Sequence, residues 1–277
     1  MRLRSLLYVP AHAERFVAKA HQRGADAIIL DLEDAVAEPS KDLARRALAA
    51  AVPAVGRRGA RVYVRVNTGE RMIADTRAAL AAGVQGVMVP KARGAASIDA
   101  FLAGAGAAWH SGLDLLAIVE DAAGLLDARA IAAHPAVSAL CLGAEDFATD
   151  TGACPDMDVV RLPKLLVHYA AKAEGKQSLG LLQSIADYND PETIVQAARQ
   201  AARFGFDGAS CIHPKVVAPL NAAFTPSKEA ITRARRVLEA ATRAADQGLG
   251  AFVLDGEFVD RPMIRRAQAT IAKAGDD

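Results

Sequence analysis

Cysteine is scarce in this chain, and neither sign of charge is in excess. Cys141, Cys154 and Cys211 are three cysteines, an odd number, among 277 residues. That count fits a reducing compartment rather than a disulfide framework, so a cytoplasmic location is expected. No two of them have the spacing of zinc ligands, and Cys211 with His213 makes no site alone. Cys141 and Cys211 stand in apolar runs, where a thiol is a small hydrophobe. The 33 Lys+Arg balance 32 Asp+Glu to a net charge of +1. A nucleic-acid or membrane-surface protein would carry a basic excess, so neither partner is expected. No apolar run approaches the roughly 20 residues of a membrane span. MRLRSLLYVP imitates a signal peptide, but its apolar stretch is short and lacks a small-residue cleavage site, so it reads as a first strand.

A glycine fingerprint is also missing. The turn after the first apolar run reads VPAHAERF, so a dinucleotide site there is not supported. No low-complexity segment or linker interrupts residues 1–246.

What is present is a regular alternation. Eight short runs are rich in β-branched residues and leucine: SLLYV (5–9), AIILDL (27–32), RVYVRV (61–66), GVMVP (86–90), LLAIV (115–119), SALCL (138–142), SLGLL (178–182) and GASCI (208–212). Each precedes a stretch with apolar residues at three- and four-residue spacing, the pattern of βα units. Helices are predicted near 13–23, 41–55, 72–82, 95–104, 122–133, 159–174, 191–204 and 226–246. Ser40 stands where an N-cap would open KDLARRALAA, and Pro191 stands where proline opens a helix. The runs are almost wholly apolar, as in a parallel sheet covered on both faces. Eight repeats point to closure as a TIM (β/α)8 barrel, with an open doubly wound sheet as the alternative. The expected division is a catalytic barrel over 1–247 and a C-terminal extension over 248–277. In that extension Asp255-Gly256 predicts a type I′ hairpin, and Pro262 starts an amphipathic helix. It is either a brace or a lid or arm onto a neighbouring subunit.

Polar groups stand where the apolar runs end. Asp31, Glu33 and Asp34 follow the second run, Arg65 and Asn67 the third, Lys91 the fourth, Glu120 the fifth, Glu145 and Asp146 the sixth, and His213 the eighth. In a parallel barrel those positions form the catalytic rim. Glu120 and Asp146, on adjacent units, would share one mouth. Two such carboxylates repel unless a cation compensates, and Mg²⁺ suits them because it keeps open positions for substrate oxygens. The bland alternative makes Glu120 a helix cap and Asp146 a solvated loop residue. Arg65 is costly in an apolar strand unless paired. Asp31 or Glu33 can pair with it, and its planar fork can also face a substrate carboxylate. The backbone of Gly143, Ala144 and Glu145 can approach an anionic oxygen closely. Asp121 and Gln183 are rim residues without an assigned role, and Trp109 and His110 read as a surface loop.

RSLLYVPAHAERF, GADAIILDLEDAV, VRVN, GVMVPKA, GAEDFATDTG, GFDGASCIHP and LDGEFVDRP, in that order, resemble the citrate lyase beta subunit-like branch of the aldolase/citrate lyase family, which includes malyl-CoA and citramalyl-CoA lyases. The resemblance implies a TIM barrel, Mg²⁺, and cleavage or formation of a C–C bond between a keto acid and an acyl-CoA enolate. It implies Glu120 and Asp146 as metal ligands, Arg65 as the substrate-binding arginine, and Asp31 and Glu33 as its support. It also implies Arg15 and the Ile212-His213-Pro214 turn as CoA contacts, and Asp260 as an acid reaching a neighbour's site. The expected activity is an oxo-acid lyase acting on a short carboxylated 3-hydroxyacyl-CoA, in a homo-oligomer (a trimer or hexamer). The alternatives are a citrate lyase complex subunit acting on a carrier-protein thioester, a related metal-dependent aldolase or thioesterase, and an inactive scaffold.

Overall fold

The computed structural model describes residues 2–182 and 190–275, and Gln183 lies outside them. Eight strands form one parallel sheet: β1 Ser5–Pro10, β2 Ala27–Asp31, β3 Arg61–Arg65, β4 Gly86–Val89, β5 Asp114–Val119, β6 Val137–Leu142, β7 Gln177–Ser178 and β8 Ala209–Cys211. Their order is β7-β6-β5-β4-β3-β2-β1-β8. A parallel bridge between Leu179 and Gly208 joins the two ends. The Gly180 N–H donates to Gly208 O at 2.8 Å, and the Asp207 N–H to Ser178 O at 2.9 Å. The ring is therefore a TIM-type barrel rather than an open sheet.

All five residues of β2 are buried, as its apolar run predicts for a strand covered on both faces. Leu6, Ile29, Tyr63, Met88, Leu116 and Leu179 meet inside the barrel. They lie below the strand ends, so the mouth is left to polar side chains. The register sets the rim: Asp31 of β2 stands beside Pro10 of β1 and Arg65 of β3.

The connecting helices are α1 Glu14–Ala20, α2 Lys41–Gly56, α3 Arg71–Ala81, α4 Ala95–Ala105, α5 Ala122–Leu126, α6 Ala128–Ala133, α7 Ala144–Thr151, α8 Met157–Ala173, α9 Pro191–Phe204 and α10 Val217–Ala223. Several depart from the sequence expectation. The helix expected over 122–133 breaks at Asp127 into α5 and α6. Among the described residues, strand seven keeps ladder pairing at Gln177 and Ser178 and a single bridge at Leu179. The short α7 and α10 had no expected counterpart. Ser40 makes no side-chain cap bond, because a 3₁₀ turn over Glu38–Ser40 runs straight into α2.

The chain divides into two units, Met1–Ala222 and Ala223–Asp277, whereas the expected division fell after residue 247. The second unit holds α11 Lys228–Asp246, the hairpin β9 Phe252–Leu254 and β10 Glu257–Val259, and α12 Arg261–Ala274. Ala234 and Val237 of α11 pack with Val259 and Ala267 in a small core of this unit, so the long helix belongs with the hairpin. Asp255 at φ 53° and Gly256 at φ 81° make the turn, as a two-residue I′ loop requires.

Candidate active site

The rim begins with Asp31, whose side chain is fully used. Its two oxygens accept from Arg65 Nε and Nη2, both at 2.7 Å. They also accept from the backbone N–H groups of Glu33 at 3.0 Å and Ala35 at 3.1 Å. One buried carboxylate thus folds the loop after β2 and aims the arginine of β3. Arg65 Nη1 further lies 3.0 Å from both Glu33 and Asp34, and its guanidinium sits 5.0 Å from the Tyr8 ring centroid. Burial opposes the guanidinium charge, but the Asp31 bonds and the surrounding negative charge together hold the group above its ordinary value. Arg65 is thus locked by acids, as the structural reading expects, and it also lines the cavity.

A second layer fixes these loops. Lys41 Nζ donates to Glu33 O at 2.9 Å and to Asn67 Oδ1 at 2.5 Å. Asn67 in turn donates from its backbone and side-chain nitrogens to the buried Asp75.

Glu120 follows β5 and is buried at 4% exposure. It is not a cap: Asp121 caps α5 through the Gly124 N–H at 2.7 Å and pairs with Arg93 at 2.5 Å. One Glu120 oxygen accepts from the Lys91 N–H at 2.9 Å. Lys91 turns that N–H inward at φ 53°, a conformation that costs a non-glycine residue energy. Gly143 makes room on the other side, since a Cβ there would lie 2.6 Å from Glu120 Oε1. Burial first, then the charges of Glu33 and Asp146, push the Glu120 carboxyl up to about 8. Burial likewise pushes Glu33 up to about 7, against the pull of Arg65. Glu33 Oε2 is buried and meets Arg65 as an ion pair, with no hydrogen bond among the described residues. Asp146 sits half-buried in the first turn of α7, with Glu145 exposed before it.

These groups border one cavity of about 920 Å³, a size common for small-molecule sites. Asp31, Arg65, Glu120, Gly143, Ala144, Glu145 and Asp146 line it, as do Ile212, His213 and Pro214. Glu33 reaches the group through Arg65 and Glu120. Arg15 does not line the cavity. It is exposed and stacks over Phe16 at 4.5 Å, while Phe16 and Arg23 of the same segment do line it. The His213 ring caps the next turn through the Lys215 N–H at 3.2 Å. Asp260, in the second unit, caps α12 through the Met263 N–H at 3.3 Å. Sequence reasoning passed over Lys164, a buried lysine of α8 that lines the cavity. Its signal was a cation on the apolar stripe of Val160, Pro163, Val167 and Ala171.

Three-quarters of the chain matches a known family. The model described as HpcH/HpaI aldolase/citrate lyase covers residues 4–214. A (3S)-malyl-CoA thioesterase of Cereibacter sphaeroides is 36% identical over 276 residues, covering 98% of this chain and 94% of the relative. A citrate lyase subunit beta-like protein of Deinococcus radiodurans is 34% identical, covering 98% of this chain and 96% of the relative. The crystal structure of CitE from Mycobacterium tuberculosis with magnesium, acetoacetate and coenzyme A superposes with a TM-score of 0.80 at 34% identity, covering 98% of both chains. The chain belongs to the HpcH/HpaI aldolase/citrate lyase family.

Proposed function

We propose that the protein is a Mg²⁺-dependent lyase that cleaves or forms the C–C bond of a short carboxylated 3-hydroxyacyl-CoA, of the malyl or citramalyl type. The observation that carries this reading is Glu120, buried beside Glu33 and Asp146 with its carboxyl pushed up to about 8. A cluster of like charges with one arginine fits a small divalent cation. Among the described residues no three His, Cys, Asp or Glu side chains form a complete metal cage. Mg²⁺ does not require such a cage, since it takes one or two carboxylates and leaves positions for water and substrate. Glu120 and Asp146 would hold the ion, which when bound supplies Lewis-acid polarisation of the substrate's carboxylate and hydroxyl oxygens.

The remaining work falls to the chain. Arg65, held rigid by Asp31, presents charge to the keto-acid end at no reorganisation cost. The backbone at Ala144 and Glu145 opens α7 toward the cavity, while the Gly143 N–H is engaged by Val119 O at 2.9 Å. Ile212, His213 and Pro214 border the mouth on the side offered to the CoA moiety. Asp260, on the arm of a neighbouring copy, would move the proton at the thioester α-carbon, because a carboxylate committed to a metal is a poor base.

A second reading, thioester hydrolysis, is favoured by the Cereibacter relative, a (3S)-malyl-CoA thioesterase. The test is a panel of hydroxyacyl-CoA substrates incubated with Mg²⁺. The lyase releases a keto acid with no free thiol, whereas the thioesterase releases free CoA thiol and no keto acid. Activity only on a carrier-protein thioester would overturn both.

A further inference from the structure

Lys164 is buried at 7% exposure, on the face of α8 that also buries Val160, Pro163, Val167 and Ala171. It borders the cavity together with Val167, Leu179, Leu181 and Phe206. A lysine on the apolar face of a helix costs desolvation energy, and burial lowers its ammonium to about 8. Glu145, one residue before Asp146, acts against that lowering. Lys164 and Glu145 line the same cavity. Arg65 reaches the same cavity from β3, with its fork engaged by Asp31, Glu33 and Asp34.

The lyase reaction develops charge in two places. The bond between the hydroxyl-bearing carbon and the thioester α-carbon breaks. Its electron pair moves onto the α-carbon and the thioester oxygen. The hydroxyl proton passes to a carboxylate of the rim, the hydroxyl carbon becomes the keto carbonyl, and the α-carbon then takes up one proton. Charge on the keto-acid side falls to Arg65 and to the cation that Glu120 and Asp146 would hold. The thioester oxygen needs its own donor, in an apolar setting where a charge acts strongly.

We propose that Lys164 is that donor: its ammonium binds the thioester oxygen and stabilises the enolate. This rests on the proposed lyase reading. Three donors on a flexible stem suit a single oxygen that gains charge during the reaction.

The test uses the full-length protein with Mg²⁺ and the best substrate of the panel. Lys164→Met keeps the length of the side chain and removes its charge, and Lys164→Arg keeps the charge. Three quantities are read: kcat and KM, exchange of acetyl-CoA α-hydrogens with D₂O, and calorimetric binding of pyruvate with Mg²⁺. In Lys164→Met, kcat and α-hydrogen exchange are expected to fall together by roughly 100- to 1,000-fold, the effect of losing one oxyanion donor. KM is expected to stay within threefold, and pyruvate binding is expected to be unchanged, which also certifies the fold. Lys164→Arg should recover part of the exchange. Exchange at the wild-type rate overturns the proposal. So does a raised KM with unchanged kcat, which marks uniform binding. Loss of pyruvate binding in a folded Lys164→Met overturns it too, by placing the lysine on the keto-acid side. Should Lys164→Met not fold, Lys164→Arg decides: no exchange despite normal pyruvate binding overturns the proposal, and partial exchange supports it. If the wild type only hydrolyses the thioester, the lyase reading fails by itself. Lys164 is then judged on hydrolysis, whose tetrahedral intermediate charges the same oxygen, and an unchanged kcat in Lys164→Met sinks it.

Discussion

The two ends of the barrel use the same residue types to opposite effect. At the amino-terminal end of the strands, ionic groups are satisfied by one another. Arg4 forms two side-chain bonds to Asp26, at 2.8 and 2.7 Å. Asp114 accepts from Arg61 at 2.5 Å, Tyr63 at 2.8 Å and Ser138 at 2.9 Å. At the carboxyl end, acids outnumber their partners. Arg65 alone meets three of them, Glu33 rises to about 7 and Glu120 to about 8. One end uses its charges to hold strands together, and the other leaves acids in excess around a cavity. The division agrees with the general placement of catalysis at the carboxyl rim of such barrels.

Removing that excess should have the largest effect. Glu120→Gln and Asp146→Asn are each expected to weaken Mg²⁺ binding and remove most turnover while the fold persists. Calorimetry with Mg²⁺ and a thermal melt check this. Near-normal activity of either variant at limiting Mg²⁺ would refute the assignment of these two as ligands.

The next effect asks whether the active rim is complete within one chain. Asp260→Ala should be inactive, and so should Glu120→Gln. Allowed to exchange subunits, the two inactive proteins should regain partial activity if Asp260 works in a neighbour's site. Verified mixed oligomers with no recovery would leave Asp260 as the cap of α12, or as a residue acting within its own chain.

A smaller loss is expected from Arg65→Lys. The charge remains, but the bidentate bond to Asp31 and the planar fork are lost. At about 1.5–3 kcal/mol for each charge-assisted bond, turnover should fall roughly tenfold to a thousandfold. Wild-type kinetics would show that a point charge suffices.

The active rim was far more legible in the sequence than the quiet one. Polar residues that end apolar runs mark it directly, because nothing in the core can hold them and the strand register gathers them. Asp31, Arg65, Glu120 and Asp146 all stand where that logic puts them, around one cavity. Lys164 escaped because it comes from a helix, where a single lysine among apolar residues looks like a chance interruption. Helix α7 escaped because AEDFATDT is eight residues long and its first turn carries the rim acids, so it read as a loop. The split at Asp127 and the packing of α11 with the hairpin depend on contacts between distant segments, which local periodicity does not encode.

The quiet rim supplies the smallest effect on activity. Asp114 lies at the start of β5, at the opposite end of that strand from Glu120. Its carboxylate ties β3, through Arg61 and Tyr63, to β6, through Ser138. Replacing it with alanine leaves the Arg61 guanidinium and the Tyr63 hydroxyl without their acceptor. Arg61 Nε already has no partner among the described residues, so the guanidinium has little to fall back on. Both the Arg61 and Asp114 side chains are about a quarter exposed, which lets water recover part of the loss. The expected cost is therefore about 1–3 kcal/mol of stability, read as a lower denaturation midpoint in urea. Mg²⁺ affinity and kcat should stay as in the wild type, because among the described residues the hydrogen bonds of Asp114 go to Arg61, Tyr63 and Ser138 and not to the active rim. A fall in kcat that matches that of Arg65→Lys would mean that the two rims are coupled through β3 and β5, and the contrast between them would not survive.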